Sequence, residues 1–520
     1  MNPRPILIAT CIAIALVANP PSATAQVIEI PDLALRDAIE TALGKAAGAQ
    51  ITVDDMAELI ALEVPSANIS DLTGLERATH LTALNLEDNA ISDISALSPL
   101  TQLTALNLGE NTIADISVLS GLTQLNWLDL GDNIISDISP LSGLTKLTRL
   151  TLWYNAISDI SALSGLTQLE WLTLSENAIS DISVLSGLTQ LEWLNLDGNA
   201  ISDISVLSGL TQLDWLDLGD NAISDISALS GLTQLESLYL GDNAISDISA
   251  LSGLTKLKWL TLWFNAISDI SALSGLTQLE WLTLWENVIS DISPLSGLTQ
   301  LKWLNLEDNA VSDISPLLGL TQLTELSLIG NPLSYTTIQT HILALQGKGV
   351  TVEFDPITPT TLLKISGDNQ TGESDAALAT PFVVEVQDNN HLALEGVEVT
   401  FTVIAGDGTL SQTTVTTDAV GRAESLLTLG SRAGTNTIEV AAAGIPQKVI
   451  FNAEGIRKTL GADVNQDGVV NILDLVLVAG RFDQAGPDRA DVNGDGIVNI
   501  LDLVLVANAF GDTAETPAVQ

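Results

Sequence analysis

The sequence predicts a chain of several domains: an α/β solenoid of parallel strands, an all-β sandwich, and a small α module built on two matching loops. Three observations predict it. An asparagine recurs at Asn89, Asn111, Asn133, Asn155, Asn177, Asn199, Asn221, Asn243, Asn265, Asn287, Asn309 and Asn331, twelve times at a spacing of 22. A strict period of that size means one structural unit per repeat, stacked in a row. Residues 362 to 454 then read as short alternating strands separated by turn residues. Finally, two loops near the C-terminus carry oxygen donors at the same offsets, 28 residues apart.

One repeat shows the physics. In Leu125-Asn126-Trp127-Leu128-Asp129-Leu130-Gly131-Asp132-Asn133 the alternation is that of a strand with one buried face. Leu128 and Leu130 point inward; Trp127, Asp129 and Gly131 point outward. Leu119, Leu122, Leu125, Ile135 and Ile138 fill the rest of the wedge. Each asparagine is expected to point inward and bond main chain, because a buried amide must be satisfied. Asn68 is read as a thirteenth member, one residue short of the spacing. The aspartate of Ser-Asp-Ile-Ser (Asp93, Asp115, Asp137 and onward) suits the N-cap of a short convex helical turn. The pattern L-x-x-L-x-L-x-x-N-x-I, followed by I-S-D-I-S, resembles the leucine-rich repeat in the short form that bacterial internalins carry. That resemblance implies a concave parallel sheet over residues 63–330.

The solenoid's ends need covers, since an end repeat exposes an apolar face. Within 26–62, Pro31 to Ile39 and Thr52 to Leu59 read as short helices, and internalin-like proteins carry such a cap. Within 331–356, Thr337 to Gln346 reads as a helix and Val350 to Phe354 as a last strand. His341 in that cap is expected to pack or face solvent. The sandwich is placed at 361–455, with its clearest strands at 381–386, 397–403 and 435–440. The run G-V-E-V-T-F-T-V with T-D-A-V-G-R-A resembles the bacterial Ig-like domains of invasin-type surface proteins, which implies a spacer.

The chain has 18 Lys and Arg against 64 Asp and Glu, a net charge of −46. Nucleic acids and anionic membranes need basic patches, so neither is expected as a partner. Residues 1–25 read as a secretory signal: Arg4, an apolar run from Ile6 to Ala18, then Ala23-Thr24-Ala25. The single cysteine, Cys11, lies inside that segment, so the mature chain is expected to lack thiol chemistry. A secreted or cell-surface location, no membrane insertion of the mature chain and a monomeric state are expected.

In the first C-terminal loop, Asp463, Asn465, Asp467, Asn471 and Asp474 occupy positions 1, 3, 5, 9 and 12, with the carbonyl of Val469 at 7 and Gly468 at 6. Asp491, Asn493, Asp495, Ile497, Asn499 and Asp502 repeat the set around Gly496. Calcium takes six to eight oxygens, and this spacing wraps them round one point. Two Ca2+ ions are expected. Position 12 is Asp rather than Glu, and no clear helix enters the first loop. With those two features, residues 461–511 resemble a dockerin, which implies a cohesin-type scaffold as partner. The positions that carry Ser-Thr in the best-known dockerins are Ile472-Leu473 and Ile500-Leu501 here, so an apolar docking face is expected. Residues 512–520 read as a disordered tail.

All ten tryptophans fall on outward positions of the concave strands. Trp127, Trp171, Trp193, Trp215, Trp259, Trp281 and Trp303 share one column; Trp153, Trp263 and Trp285 share a second, with Tyr239 between. Exposed aromatics are costly in solubility and enriched at binding sites, so the concave face is read as a ligand-binding surface for an extracellular protein or a glycan. Repeat duplication of a harmless tryptophan is the alternative. Asp129, Asp217, Glu192, Asp214 and Glu280 around the rings suit basic or hydroxyl-rich groups. The preferred function is non-catalytic adhesion or recognition. The alternative is a component or enzyme subunit of a cellulosome-like polysaccharide-degrading complex, though no catalytic residues stand out: His80, His341 and His391 lie in separate regions, and the carboxylates recur by repeat instead of forming one pair.

Overall fold

The structure, a computed structural model, describes residues 26–513 apart from 390, 459 and 487. The signal segment 1–25 and tail residues 514–520 lie outside the described residues. The chain divides into two compact units, Met1–Val288 with Gly297–Leu304, and Ile289–Ser296 with Asn305–Gln520.

The repeats form a parallel sheet whose strands follow chain order through 14 members, from Ala61–Glu63 to Thr351–Glu353. Each repeat strand is three residues long, and its central leucine pairs with the leucine one repeat on: Leu128 with Leu150, Leu150 with Leu172, Leu172 with Leu194. Those leucines are fully buried, as are Leu119, Leu122, Leu125 and Ile135. The opposite side of each repeat is a short 3-10 turn, three residues long in Leu75–Arg77 and Ser95–Leu97 and five in later repeats such as Ser139–Gly143. Asp137 caps it one residue earlier than an N-cap does. Its Oδ1 accepts the Ser139 N–H at 2.8 Å while Ile138 holds the N-cap position, an Asx turn leading into the helix.

The asparagine ladder is the fixed point of every repeat. Asn133 Oδ1 accepts the Ile113 N–H at 2.9 Å, and its Nδ2 donates to the carbonyls of Leu108, Leu130 and Gly131 at 3.0, 3.2 and 3.1 Å. One side chain thus ties its own turn to the preceding one, as buried main-chain groups require. Asn68 is not the thirteenth member. Register places Ala67 at the ladder position, and Asn89 Oδ1 takes both the Ala67 and Ile69 N–H groups, at 3.1 and 2.8 Å. Asn68 instead adopts a left-handed backbone, φ +56°, which asparagine tolerates better than most residues.

At the N-terminal end, helices Leu33–Ala42 and Val53–Ala57 form as expected. Asp32 caps the first, and its second oxygen accepts the Ser70 N–H at 3.0 Å, fastening cap to repeat. Thr52 and Asp55 make a capping box on the second. At the other end the helix starts earlier than expected, at Tyr335, because Ser334 Oγ accepts the Thr337 N–H. A π turn, Ile338–Ile342, interrupts it, and His341 Nδ1 sits 3.6 Å from Asp313. The sandwich that follows packs a three-stranded sheet against a five-stranded one. Phe382, Val384 and Val386 face Phe401, Ile438, Val440 and Phe451 in one core, with the Phe382 and Phe451 ring centroids 4.9 Å apart. One strand pair, Gln370–Glu373 with Val449–Ile456, is parallel.

Candidate functional site

The aromatic face follows from strand alternation. Within Trp-Leu-Asp the leucine turns into the core, so its two neighbours must turn out. Register aligns Trp127, Arg149, Trp171, Trp193, Trp215, Ser237, Trp259 and Trp281 one strand apart, and Trp303 stacks on Trp281 at 4.2 Å. No tryptophan is buried; Trp259 and Trp281 are 38% and 40% exposed. The spacing of parallel strands, about 4.8 Å, lets neighbours stack. Trp171 and Trp193 lie 4.1 Å apart at 5°, and Trp193 and Trp215 3.7 Å apart at 3°. Trp263 and Trp285 stack at 5.1 Å in the second column. Arg149 sits 5.9 Å above the outer face of Trp171, and Tyr239 tilts against Trp215 at 5.2 Å.

Gly131 faces outward as expected but is buried, because the indole of Trp153 lies across it where a Cβ would stand. Gly241 is covered in the same way by Trp263. A bare glycine one repeat before a tryptophan is a signal the sequence carried and the repeat pattern hid.

Two carboxyls among the rings are raised furthest. Burial raises Asp129 to about 6, against the opposing Gly131 N–H and with the charges of Glu87 and Glu110 adding to it. Burial raises Asp217 to about 7, opposed by the Gly219 N–H and assisted by Asp197. A carboxyl raised on folding binds protons more tightly in the folded state. It therefore adds stability as pH falls from about 7 toward 4, and that contribution is lost as pH rises through the folded value. The turn aspartates act in the opposite sense, below about pH 4, because N–H donors such as that of Ser139 hold Asp137 low. The expected result is a melting temperature that climbs on acidification from about pH 8 to about pH 5, with a shallower climb in Asp129→Asn/Asp217→Asn. Identical slopes would exclude the two buried carboxyls as the cause.

The C-terminal loops have the backbone that a calcium loop needs. Gly468 and Gly496 take φ +90° and +88°, the left-handed turn that position 6 requires. Their N–H groups donate to Asp463 and Asp491, both at 2.8 Å. Asp474 is fully buried and accepts the Asn465 and Asn471 N–H groups at 3.1 and 2.8 Å; Asp502 repeats this with Asn493 and Asn499 at 3.0 and 2.8 Å. Neither carboxylate has a cationic side-chain partner among the described residues. A buried carboxylate without one is costly. Asp463 Oδ1 is buried with no hydrogen-bond partner at all. These features suit a cation held by Asp463, Asn465, Asp467, the Val469 carbonyl, Asn471 and Asp474, and by the matching six residues of the second loop. Among the described residues no three or more His, Cys, Asp or Glu side chains cluster as a metal site by themselves. The amide and carbonyl oxygens are needed to complete each set.

The loops are cross-braced. Val470 exchanges hydrogen bonds with Gly511 and Asp512, and Val498 with Asp483 and Gln484. Asp512 and Thr513, assigned to the tail, are thus part of the module. Helices Ile472–Gly480 and Ile500–Asn508 follow the loops. Ile472, Leu473, Ile500 and Leu501 are 55–60% exposed. Val476, Leu477, Val504 and Leu505, one turn further on, are exposed beside them; helical spacing could have found these four.

The repeats define a leucine-rich-repeat protein. Leucine rich repeat matches cover residues 145–201, with two-copy matches at 79–121, 123–165 and 211–253. The Dockerin type I domain matches residues 461–511. The solved structure of an internalin (inlF) from Listeria monocytogenes is 39% identical, with TM-score 0.60; the match covers 63% of this chain and 95% of that one. The functional domain of InlJ from the same organism is 20% identical with TM-score 0.51, over 84% of this chain and 99% of that one, a likeness of fold. No curated protein matches. The chain belongs to the internalin-like leucine-rich-repeat proteins and carries a C-terminal dockerin domain, a module that binds calcium. No helix among the described residues is long and apolar enough to cross a membrane.

Proposed function

We propose that this is a secreted or cell-surface recognition protein without catalytic activity. Its repeats bind an extracellular partner through the concave face. Its C-terminal module, loaded with two Ca2+ ions, tethers it to a cohesin-bearing scaffold. The observation that carries the reading is the contrast along each strand: the leucines are sealed, while Trp127, Trp171, Trp193, Trp215 and Trp303 stay half-exposed and Trp259 and Trp281 exposed in one column. Apolar surface kept open in this way marks a contact face. Trp153, Tyr239, Trp263 and Trp285 widen it. Bound calcium neutralises the buried carboxylates of each loop and so sets the pose of the helix that follows. Ile472, Leu473, Ile500 and Leu501 then present an apolar docking face. A polysaccharide-degrading complex is the second setting, with this chain as an accessory subunit, and the dockerin match supports that context.

The test uses the full chain. Calcium-dependent retention on cohesin domains is expected for the wild type and lost in Asp463→Ala/Asp491→Ala. Titration of tryptophan emission with extracellular proteins and with glycans reads the concave face. Emission unmoved by either class would sink the recognition role and leave only the tether.

A further inference from the structure

The row of residues just before the tryptophan column carries an asymmetry of charge. Main-chain hydrogen bonds of 2.8–2.9 Å link Glu170, Glu192, Asp214, Glu236, Lys258, Glu280 and Lys302 one strand apart. In its second half the row neutralises itself: Lys258 pairs with Glu236 and Lys302 with Glu280, each at 2.6 Å. In its first half, Glu170, Glu192 and Asp214 follow one another exposed, with no cationic partner among the described residues. Parallel strands hold these like charges about 4.8 Å apart, and burial with the charges of Glu192 and Glu236 lifts the Asp214 carboxyl above its usual range.

The same three strands bear the tightest aromatic stack, Trp171, Trp193 and Trp215. Inside it each ring covers its neighbour, while Arg149 lies over one end and Tyr239 leans on the other. A sugar ring binds tryptophan through its face, and here those faces are taken. What remains is a strip of indole edges beside a strip of unpaired carboxylates. Long basic side chains suit that combination: their alkyl stems cover apolar surface while the charged heads reach the acids.

Resting on the concave-face reading above, we infer that the surface formed by Glu170, Glu192 and Asp214 with Trp171, Trp193 and Trp215 docks a basic, arginine-rich segment of a partner protein rather than a glycan. Lys258 and Lys302 in the self-neutralised half show the contact in miniature. Each sets its ammonium against an acid one strand away, where a partner's cation takes that place in the open half.

The test measures binding of an oligo-arginine peptide and a cello-oligosaccharide to the full chain by tryptophan emission and calorimetry. Two charge-matched variants are compared: Glu170→Gln/Glu192→Gln/Asp214→Asn on the concave face, and Asp181→Asn/Asp203→Asn/Asp225→Asn on the convex turns. The peptide is expected to bind with strong salt dependence and to weaken at least about tenfold in the concave variant only. Equal weakening in both variants means attraction to net charge and overturns the inference. Binding of the oligosaccharide without the peptide also overturns it while leaving the concave face a recognition surface. No response to either probe removes both.

Discussion

Chelation of calcium is expected to unfold residues 461–511 while the repeats stay folded. The core of that module is six residues, Ala462, Val470, Val478, Ala490, Val498 and Val506. So small a core does not offset the chain entropy of ordering two loops and two helices. Asp474 and Asp502 are buried carboxyls with no cationic side-chain partner among the described residues, in the place a cation would occupy. Metal at about a thousandfold over its dissociation constant adds about 4 kcal/mol per site. Loss of both sites therefore exceeds what the module has in reserve. Hydrogen exchange on the full chain reads this segment by segment. With chelator, the amides of Val470 and Val498 should exchange at unfolded rates, while those of Ile113 and Ile135 keep their protection. Asp463→Ala/Asp491→Ala should behave in saturating calcium as the wild type does in chelator. Protection at Val470 and Val498 that ignores calcium would refute metal-dependent folding.

The second large effect is expected from Asn133→Ala. The side chain is buried and makes four hydrogen bonds to main chain in its own and the preceding repeat. Its removal leaves the Ile113 N–H without that acceptor in a place water does not reach. A buried group left unsatisfied costs about 1–3 kcal/mol, and the lost bonds to the carbonyls add to it, so a loss of about 3 kcal/mol is expected. Because each repeat leans on its neighbours, the damage spreads along the stack. A lower urea midpoint checks this. Ile134→Ala in the next position, where the side chain is exposed, should move the midpoint little. Equal effects at the two positions would argue against the ladder.

Much of this was legible because the repeat reports on itself twelve times. Period, leucine burial and the inward asparagine follow from alternation and from the need to satisfy a buried amide. Letter spacing points to Asn68, whereas the ladder is set by strand register, which puts Ala67 in line. Asp137 sits one residue before the N-cap because the 3-10 turn begins with an Asx turn here. The candidate calcium donors follow from offsets alone, since one twelve-residue loop carries each set. The cross-bracing of Val470 by Gly511 and Asp512 does not, because contacts between distant segments leave no local pattern. Mutual stacking of the indoles was hidden for the same reason: the letters give the column, and only ring planes reveal which faces remain open.

The most direct measurement compares two full chains in the presence of chelator, which silences the dockerin: the wild type and Trp171→Ala/Trp193→Ala/Trp215→Ala. Extracellular proteins of the source organism's surroundings are passed over each. The account predicts at least one protein held by the wild type and released by the variant, with the repeats equally stable in both. Identical retention by the two chains would show that the open column of rings recognises nothing.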